Sequence, residues 1–302
     1  MAAHHLSWLE AGVVGGMQGV AELFPVSSLG HSVLLPAVVG GSWARDLNVS
    51  ATESPYLAFI VGLHVATAIA LVIYFWRDWL RIIRGLVTSI GRREVVTADQ
   101  RLAWLLVLAT IPVGLVGLLL EHWLRTHLGR PVPAAIFLIV NGFVLFAAEQ
   151  LRRGDPTVNE EYVDERISGP VSDARIARLP VVPAVLIGAA QILALAPGIS
   201  RSGITMVAGM LRGLSREDAA RFSFLLATPV ILAAGVLKIP DLTGPLGDGI
   251  RGQALFGAAL SGVGAYLSVR FLTRYLAARS LRPFGVYCVL AGAASLIWFA
   301  VR

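Results

Sequence analysis

The chain has 302 residues, of which 56% are hydrophobic and only 15% charged, with a formal net charge of +6. A mean hydropathy of +0.72 excludes a water-soluble globule. The positive balance does not point to nucleic acid either, because the arginines fall in short links between apolar runs, where a positive-inside bias places them. The single cysteine, Cys288, rules out an intramolecular disulfide and argues against a thiol-ligated metal.

Apolar runs of about 18 or more residues recur, and a helix needs ~20 residues to cross a ~30 Å hydrocarbon core. The ~10-residue alternating segments of a barrel do not stand out. The composition therefore predicts an all-α polytopic membrane protein. His4, His5 and Glu10 stand where a basic leader would be, so no cleavable signal peptide is expected.

The first apolar stretch, about Leu6 to Val39, is interrupted by Glu22, Pro25, Ser27, Ser28, Gly30 and His31. Each half is too short to cross a bilayer, and broken helices persist at membrane depth only inside protein or beside a wet cavity. A re-entrant helix–loop–helix is predicted, followed by a loop from Gly40 to Ser54. Three spans come next, about Pro55–Trp76, Leu102–Leu120 and Val132–Leu151. The link carrying Arg77, Arg81, Arg84, Arg92, Arg93 and Arg101 is placed in the cytoplasm, and the link with Glu121, Arg125 and Arg130 outside. Arg152 to Arg178, with Asp155, Glu160, Glu161, Asp164 and Glu165, reads as a solvated cytoplasmic linker.

The pattern then repeats. Val181 to Ala196 is apolar and short, breaks at Pro197-Gly198, and resumes from Gly203 to Leu211. Three more spans follow, about Ala219–Leu237, Gln253–Leu272 and Pro283–Val301, with a basic link at Thr273 to Arg282 on the inside. One broken stretch plus three spans, twice, inserts the second unit upside down, since three is odd. The expectation is one integral domain of six transmembrane helices and two re-entrant hairpins in an inverted-topology repeat, a plan that puts sites where discontinuous helices meet. Residues 1–151 form the first repeat, 152–179 the linker and 180–302 the second repeat.

Charges in hydrocarbon cost about 2.5–3.5 kcal/mol on insertion scales and mark functional sites by default. Gln18 and Glu22 are i, i+4 and share a helix face. A carboxylate beside an amide oxygen can bind a hard divalent cation together with phosphate oxygens, or Glu22 can simply pair with an arginine such as Arg201. Ser28 and His31 can be a nucleophile–base pair, or Ser27 and Ser28 can cap a helix while His31 is hydrogen-bonded in the core; spacing alone favours the second. Ser200, Arg201 and Ser202 follow Pro197-Gly198 and open a short helix with Thr205 one turn on. Helix-start N–H groups and a planar guanidinium suit a phosphate. His64 reads as a satisfied core or near-site histidine rather than a metal ligand. Asn141, Glu149 and Gln191 read as helix–helix contacts.

Two stretches carry a resemblance. Glu22-Leu-Phe-Pro-Val-Ser27-Ser28-Leu-Gly-His31 is similar to the E-F-x-P-[IV]-S-S-[ST]-G-H of the undecaprenyl-diphosphate phosphatases, the bacitracin-resistance proteins of the bacterial envelope. Pro197-Gly-Ile-Ser-Arg-Ser-Gly203 matches their P-G-x-S-R-S-G. The resemblance covers essentially the whole chain. It implies removal of the terminal phosphate from a C55 polyprenyl diphosphate at the outer face of the plasma membrane, recycling the lipid carrier for peptidoglycan and conferring bacitracin resistance. It implies a divalent cation, Mg²⁺ or Ca²⁺. By position, Ser28 and His31 resemble the catalytic serine and histidine, with Glu22 and Arg201 also catalytic. Glu22 and Gln18 resemble a metal-associated pair, and Ser27, Ser200, Arg201, Ser202 and Thr205 a substrate-binding set. The chain departs from the pattern at Gln18, where many members have Glu, at Leu29, where Ser or Thr is usual, and at Leu23, where an aromatic is usual.

The partners expected are a polyprenyl diphosphate and the bilayer, with no nucleic acid and a homo-oligomer left open. The rival from another class is a flippase that moves a polyprenyl phosphate carrier without hydrolysis. A third reading, a phosphatidic-acid-type phosphatase, lacks the later Arg-to-His motif.

Overall fold

The computed structural model describes residues 6–48, 55–153, 169–244 and 247–301, and among these no strand occurs. The helices are α1 (Trp8–Ala21), α2 (Ser28–Val39), α3 (Gly41–Asp46), α4 (Pro55–Tyr74), α5 (Trp76–Arg92), α6 (Ala98–Leu128), α7 (Pro131–Arg153), α8 (Gly169–Ile176) and α9 (Val181–Ala189), which runs into a 3₁₀ segment (Ala190–Leu195). Then come α10 (Arg201–Met210), α11 (Arg216–Thr243), α12 (Arg251–Ala278) and α13 (Arg282–Val301). Among the described residues six helices are long and apolar enough to cross a membrane: Tyr56–Tyr74, Ala98–Leu120, Pro131–Leu151, Arg216–Leu237, Arg251–Ala278 and Arg282–Val301. They match the six predicted spans within a few residues, except that the helices carrying the second, fourth and fifth run on further at an end. Asp155, Glu160, Glu161, Asp164 and Glu165 of the expected linker lie outside the described residues, as do the side chains of Glu121 and Arg125.

α1 starts on a reciprocal cap. Ser7 Oγ accepts the Glu10 N–H at 3.2 Å, and Glu10 Oε2 accepts the Ser7 N–H at 2.8 Å, which satisfies two orphan donors at the helix start. α1 then lies along α12, with Trp8 edge-on to Phe256 and Phe24, beyond the end of α1, stacked on Phe271. The approach is so close that a Cβ at Gly15 would fall 2.4 Å from the Gly257 carbonyl oxygen, so only glycine fits. α4 flanks the same helix: Ser261 Oγ donates to the Leu63 carbonyl at 3.2 Å, and Tyr74 and Thr273 share a hydroxyl bond at 3.0 Å.

One end of the bundle collects the charges. Arg81 bonds Asp78, Asp99 and Asp173, and Arg221 at the start of α11 also holds Asp173 at 2.8 Å. Arg175 on α8 grips Asp218 through two nitrogens at 2.7 Å, and this bond pushes its guanidinium further above the usual arginine range. Glu149 at the end of α7 takes Arg216 and the N–H of Leu281. The basic link expected after the first span is itself helix α5. Its Ile82, Gly85 and Ser89 are buried, while Trp76, Leu80, Ile83, Val87 and Ile90 form an exposed apolar stripe at helical spacing. Such a stripe beside arginines suits a helix lying in a membrane interface.

The two interrupted stretches fold as short helix pairs, α1 with α2 and α9 with α10. α8 and the α9 segment meet at 104°. The chain turns of the two pairs touch. A Cβ on Gly30 would lie 2.9 Å from Gly198 Cα, and one on Gly198 would lie 2.3 Å from the Ala134 carbonyl oxygen.

Candidate active site at the meeting of two helix pairs

α1 ends at Ala21, so Glu22 projects from the C-terminal end of a helix into the turn before α2. Ser27 caps α2 with φ +67, a left-handed conformation uncommon for a residue with a side chain. Its Oγ accepts the Gly30 N–H at 3.2 Å and, from the other turn, the Gly198 N–H at 3.1 Å. That geometry starts α2 with Ser28 at its first position, aimed back toward Glu22. On the other side Ser200 caps α10 by accepting the Gly203 N–H at 3.1 Å, which makes Arg201 the first helical residue.

Between the turns lies a cavity of about 90 Å³ lined by Glu22, Ser27, Ser28, Leu29, His64, Ala194, Ile199, Ser200 and Arg201. The Glu22 carboxylate is its hub. Arg201 Nη2 donates to Oε1 across 179 positions of sequence. Ser28 Oγ donates to Oε2, Gln18 Nε2 donates to the same oxygen at 2.9 Å, and His64 Nε2 lies 3.2 Å from it. Arg201 Nη1 is buried and has no partner among the described residues. A guanidinium with one arm held and one arm free, beside N–H groups of a helix's first turn, is a ready anion cradle.

Six of the residues singled out in the sequence therefore converge: Glu22, Ser27, Ser28, Ser200 and Arg201 line the cavity, and Gln18 touches Glu22 from behind. Gln18 is fully buried and absent from the cavity wall, and its Oε1 has no hydrogen-bond partner among the described residues. Ser202 and Thr205 do not line the cavity either. Ser202 Oγ donates to the Phe24 carbonyl at 3.2 Å, tying one turn to the other, and Thr205 Oγ1 donates to the Arg201 carbonyl at 2.7 Å within its own helix.

His31 is not brought to Ser28. Its Nδ1 lies 2.7 Å from the Ser27 carbonyl, which can only accept, so Nδ1 carries the hydrogen. Its Nε2 then accepts the Tyr287 hydroxyl at 2.7 Å, with the two rings stacked. Both nitrogens are committed away from the cavity.

Sequence reading left His64 as a core or near-site histidine and assigned no site role to Asn141 or Tyr287, yet all three build this place. His64 comes from α4. Asn141, on α7, donates to the Pro25 carbonyl at 2.9 Å and accepts the Ser200 N–H at 2.9 Å, so one amide clamps both turns. Tyr287 fixes His31. Each was visible as a polar group within an apolar run.

Whether the cavity suits a divalent cation is decided by its donors. It offers one carboxylate, both oxygens of which already accept hydrogen bonds, and among the described residues no group of three or more His, Cys, Asp or Glu is close enough to hold an ion. That set fits a cation shared with phosphate oxygens of a ligand, as magnesium usually is, and not one caged by protein alone.

A sequence model of the family described as bacitracin resistance protein BacA matches residues 11–294. The undecaprenyl-diphosphatase of Mycolicibacterium paratuberculosis (strain ATCC BAA-968 / K-10) is 64% identical over 302 residues, covering 99% of each chain. That of Mycobacterium avium (strain 104) is 64% identical over 301 residues, covering 98% of this chain and 99% of its own. Undecaprenyl-diphosphatase 1 of Frankia casuarinae is 51% identical over 366 residues, covering 98% and 99%. With a match of this extent, and six apolar helices to carry it, the chain belongs to the BacA family of bacitracin resistance proteins and is a multi-pass membrane protein.

Proposed function

We propose that the protein is an undecaprenyl-diphosphate phosphatase, releasing inorganic phosphate and leaving undecaprenyl phosphate. The relatives' names supply the substrate. The observation that carries the chemistry is the chain Ser28–Glu22–Arg201 in one small cavity. Ser28 Oγ attacks the terminal phosphorus as its proton passes to Glu22 Oε2. The new Oγ–P bond forms while the bridging P–O bond breaks, and the prenyl monophosphate leaves. Glu22 passes that proton on to the departing prenyl monophosphate. Water then displaces the phosphoryl group from Ser28, with Glu22 taking the water's proton and returning it to Ser28 Oγ. Arg201, through its free nitrogen, and the first-turn N–H groups of α10 hold the equatorial oxygens. Phosphoryl transfer is mostly positioning and charge stabilisation, so this set suffices. A divalent cation bound with the diphosphate would neutralise charge beside Glu22.

The sequence put Ser28 assisted by His31 first and left His31 itself or a water open as nucleophile. Ser28 is preferred here because its hydroxyl already donates to a carboxylate, whereas both His31 nitrogens are occupied.

In this reading α1–α2 and α9–α10 are re-entrant hairpins of two inverted repeats, residues 1–151 and 180–302, joined by a linker at 152–179. The charged end of the bundle, rich in arginine at α5, α8 and the α12–α13 link, is cytoplasmic by the positive-inside bias. The first hairpin then opens outward, and the enzyme works at the outer side of the bacterial plasma membrane, returning carrier lipid to peptidoglycan synthesis and supporting bacitracin resistance. The test is phosphate release from a polyprenyl diphosphate by purified protein in detergent, where no compartments exist for transport. Hydrolysis by wild type and its loss in Arg201→Ala are expected. A wild type that releases no phosphate, or an Arg201→Ala at full rate, would sink the reading.

A further inference from the structure

His64 lies on α4, far in sequence from both motif stretches, yet its ring forms part of the cavity wall. Its Nδ1 is 2.8 Å from the Ile60 carbonyl one turn back. A carbonyl only accepts, so Nδ1 bears the hydrogen and Nε2 alone is left for Glu22. Nε2 stands 3.2 Å from Oε2. Two bare lone pairs would repel at that distance, so a hydrogen lies between them and, with Nδ1 also protonated, the ring is an imidazolium.

Glu22 thus has four donors, and they do different work. Ser28 leaves the carboxylate when it attacks. Arg201 shares its guanidinium with the diphosphate. Gln18 comes from the same helix end as Glu22 and moves with it. Of the four, only His64 ties Glu22 to a full-length apolar helix. A carboxylate that must face a serine with one oxygen and a guanidinium with the other needs such a fixed reference, because misplacement of about 1 Å can lower a rate ~10²-fold.

We infer that His64 is a positioning residue for phosphoryl transfer: its Nε2–H holds Glu22 Oε2 against Ser28 while Arg201 turns toward the phosphate. This rests on the reaction assigned above to this cavity. The role needs an N–H donor at that point rather than the ring's charge, so a neutral glutamine, whose side-chain nitrogen reaches about as far as Nε2, can replace it.

The experiment compares wild type, His64→Leu and His64→Gln in detergent, measuring kcat, KM for a polyprenyl diphosphate and the Mg²⁺ concentration for half-maximal rate. His64→Leu is expected to lose about 10–100-fold in kcat, the usual range for a group that orients another. KM should stay within about 3-fold, because binding is not what is lost, and Mg²⁺ dependence should not move. His64→Gln should recover most of the rate. Full kcat in His64→Leu would overturn the inference. So would an effect confined to KM, a shifted Mg²⁺ requirement, or a His64→Gln that is folded by gel filtration and thermal unfolding yet as slow as His64→Leu. Should His64→Leu not fold, His64→Gln decides alone: near-wild-type kcat supports the role and loss overturns it. A wild type with no hydrolysis would overturn the assigned reaction and this role with it, whereas an active wild type indifferent to His64 would overturn the role alone.

Discussion

Ser27 Oγ accepts the backbone N–H of Gly198 at 3.1 Å, across 171 positions of sequence. The bond joins the two chain turns, and both partners sit at positive φ, +67 and +107. For Ser27 the two contributions can be separated. Ser27→Gly removes the hydroxyl and relieves the backbone, whereas Ser27→Ala removes the hydroxyl and keeps a left-handed conformation that costs about 1–2 kcal/mol for a residue with a Cβ. Thermal unfolding in detergent should rank wild type above Ser27→Gly and Ser27→Gly above Ser27→Ala. An alanine variant more stable than the glycine variant would contradict the strained cap.

Arg201 touches Glu22 with one nitrogen and leaves another buried without a partner among the described residues. A lysine can satisfy the carboxylate or the phosphate, but not both in a fork. Arg201→Lys should therefore behave almost as badly as Arg201→Ala, losing about 10²–10³-fold in kcat, the scale for removing one transition-state donor. A lysine variant within a few-fold of wild type would show that charge alone matters there.

The six spans and the two broken stretches were legible because each rests on length and apolarity, which a single sequence displays. The meeting of Glu22 with Arg201 was legible because two charges in apolar surroundings need partners. What escaped was direction. Ser28 and His31 lie one turn apart on α2; the family resemblance made them a pair, whereas spacing alone favoured a capping serine and a hydrogen-bonded histidine, as Ser27 and His31 show. Ser28, at the first helical position, instead points back to Glu22, and His31 turns to Tyr287 on α13, a helix whose approach no local pattern reveals. Thr205 shares a face with Arg201 and still spends its hydroxyl on its own helix. α5 was hidden by its arginines, although Arg77, Arg81 and Arg84 already stand at helical spacing.

Asn141 serves both turns with one amide, donating to Pro25 and accepting from Ser200. Asn141→Leu leaves the buried Ser200 N–H unpaired, at about 1–3 kcal/mol, and the Pro25 carbonyl with only the weak Cys288 thiol donor at 3.7 Å. Asn141→Asp keeps an acceptor for Ser200 but loses the donor to Pro25. Unfolding temperature and turnover should both fall in the order wild type, aspartate, leucine. A leucine variant as stable as wild type would show that the clamp contributes nothing.

Asp173 on α8 is buried between Arg81 and Arg221, far from the cavity in chemistry and purpose. Removing one partner of a buried pair costs up to about 3–5 kcal/mol, and less here because Arg81 keeps Asp78 and Asp99 and Arg221 keeps Asp78 at 3.1 Å. Asp173→Asn should lower the unfolding temperature while leaving kcat of the folded fraction near wild type. An equal loss in both would tie this end of the bundle to the reaction.

Ser28 and His31 make opposite predictions, and a third residue separates them. If Ser28 is the nucleophile and Glu22 its base, Ser28→Ala should lose about 10³-fold or more, as when a catalytic serine is removed elsewhere. His31 acts on the Ser27 carbonyl and is itself held by the Tyr287 hydroxyl. Tyr287→Phe deletes that hydroxyl, a bond worth about 0.5–1.5 kcal/mol, so its rate should drop by no more than about 10-fold. Rapid quenching of wild type with a labelled terminal phosphate should further trap the label on Ser28. Label found on His31, or Tyr287→Phe as slow as Ser28→Ala, would transfer the chemistry to the imidazole and require His31 to swing away from Tyr287 before each turnover.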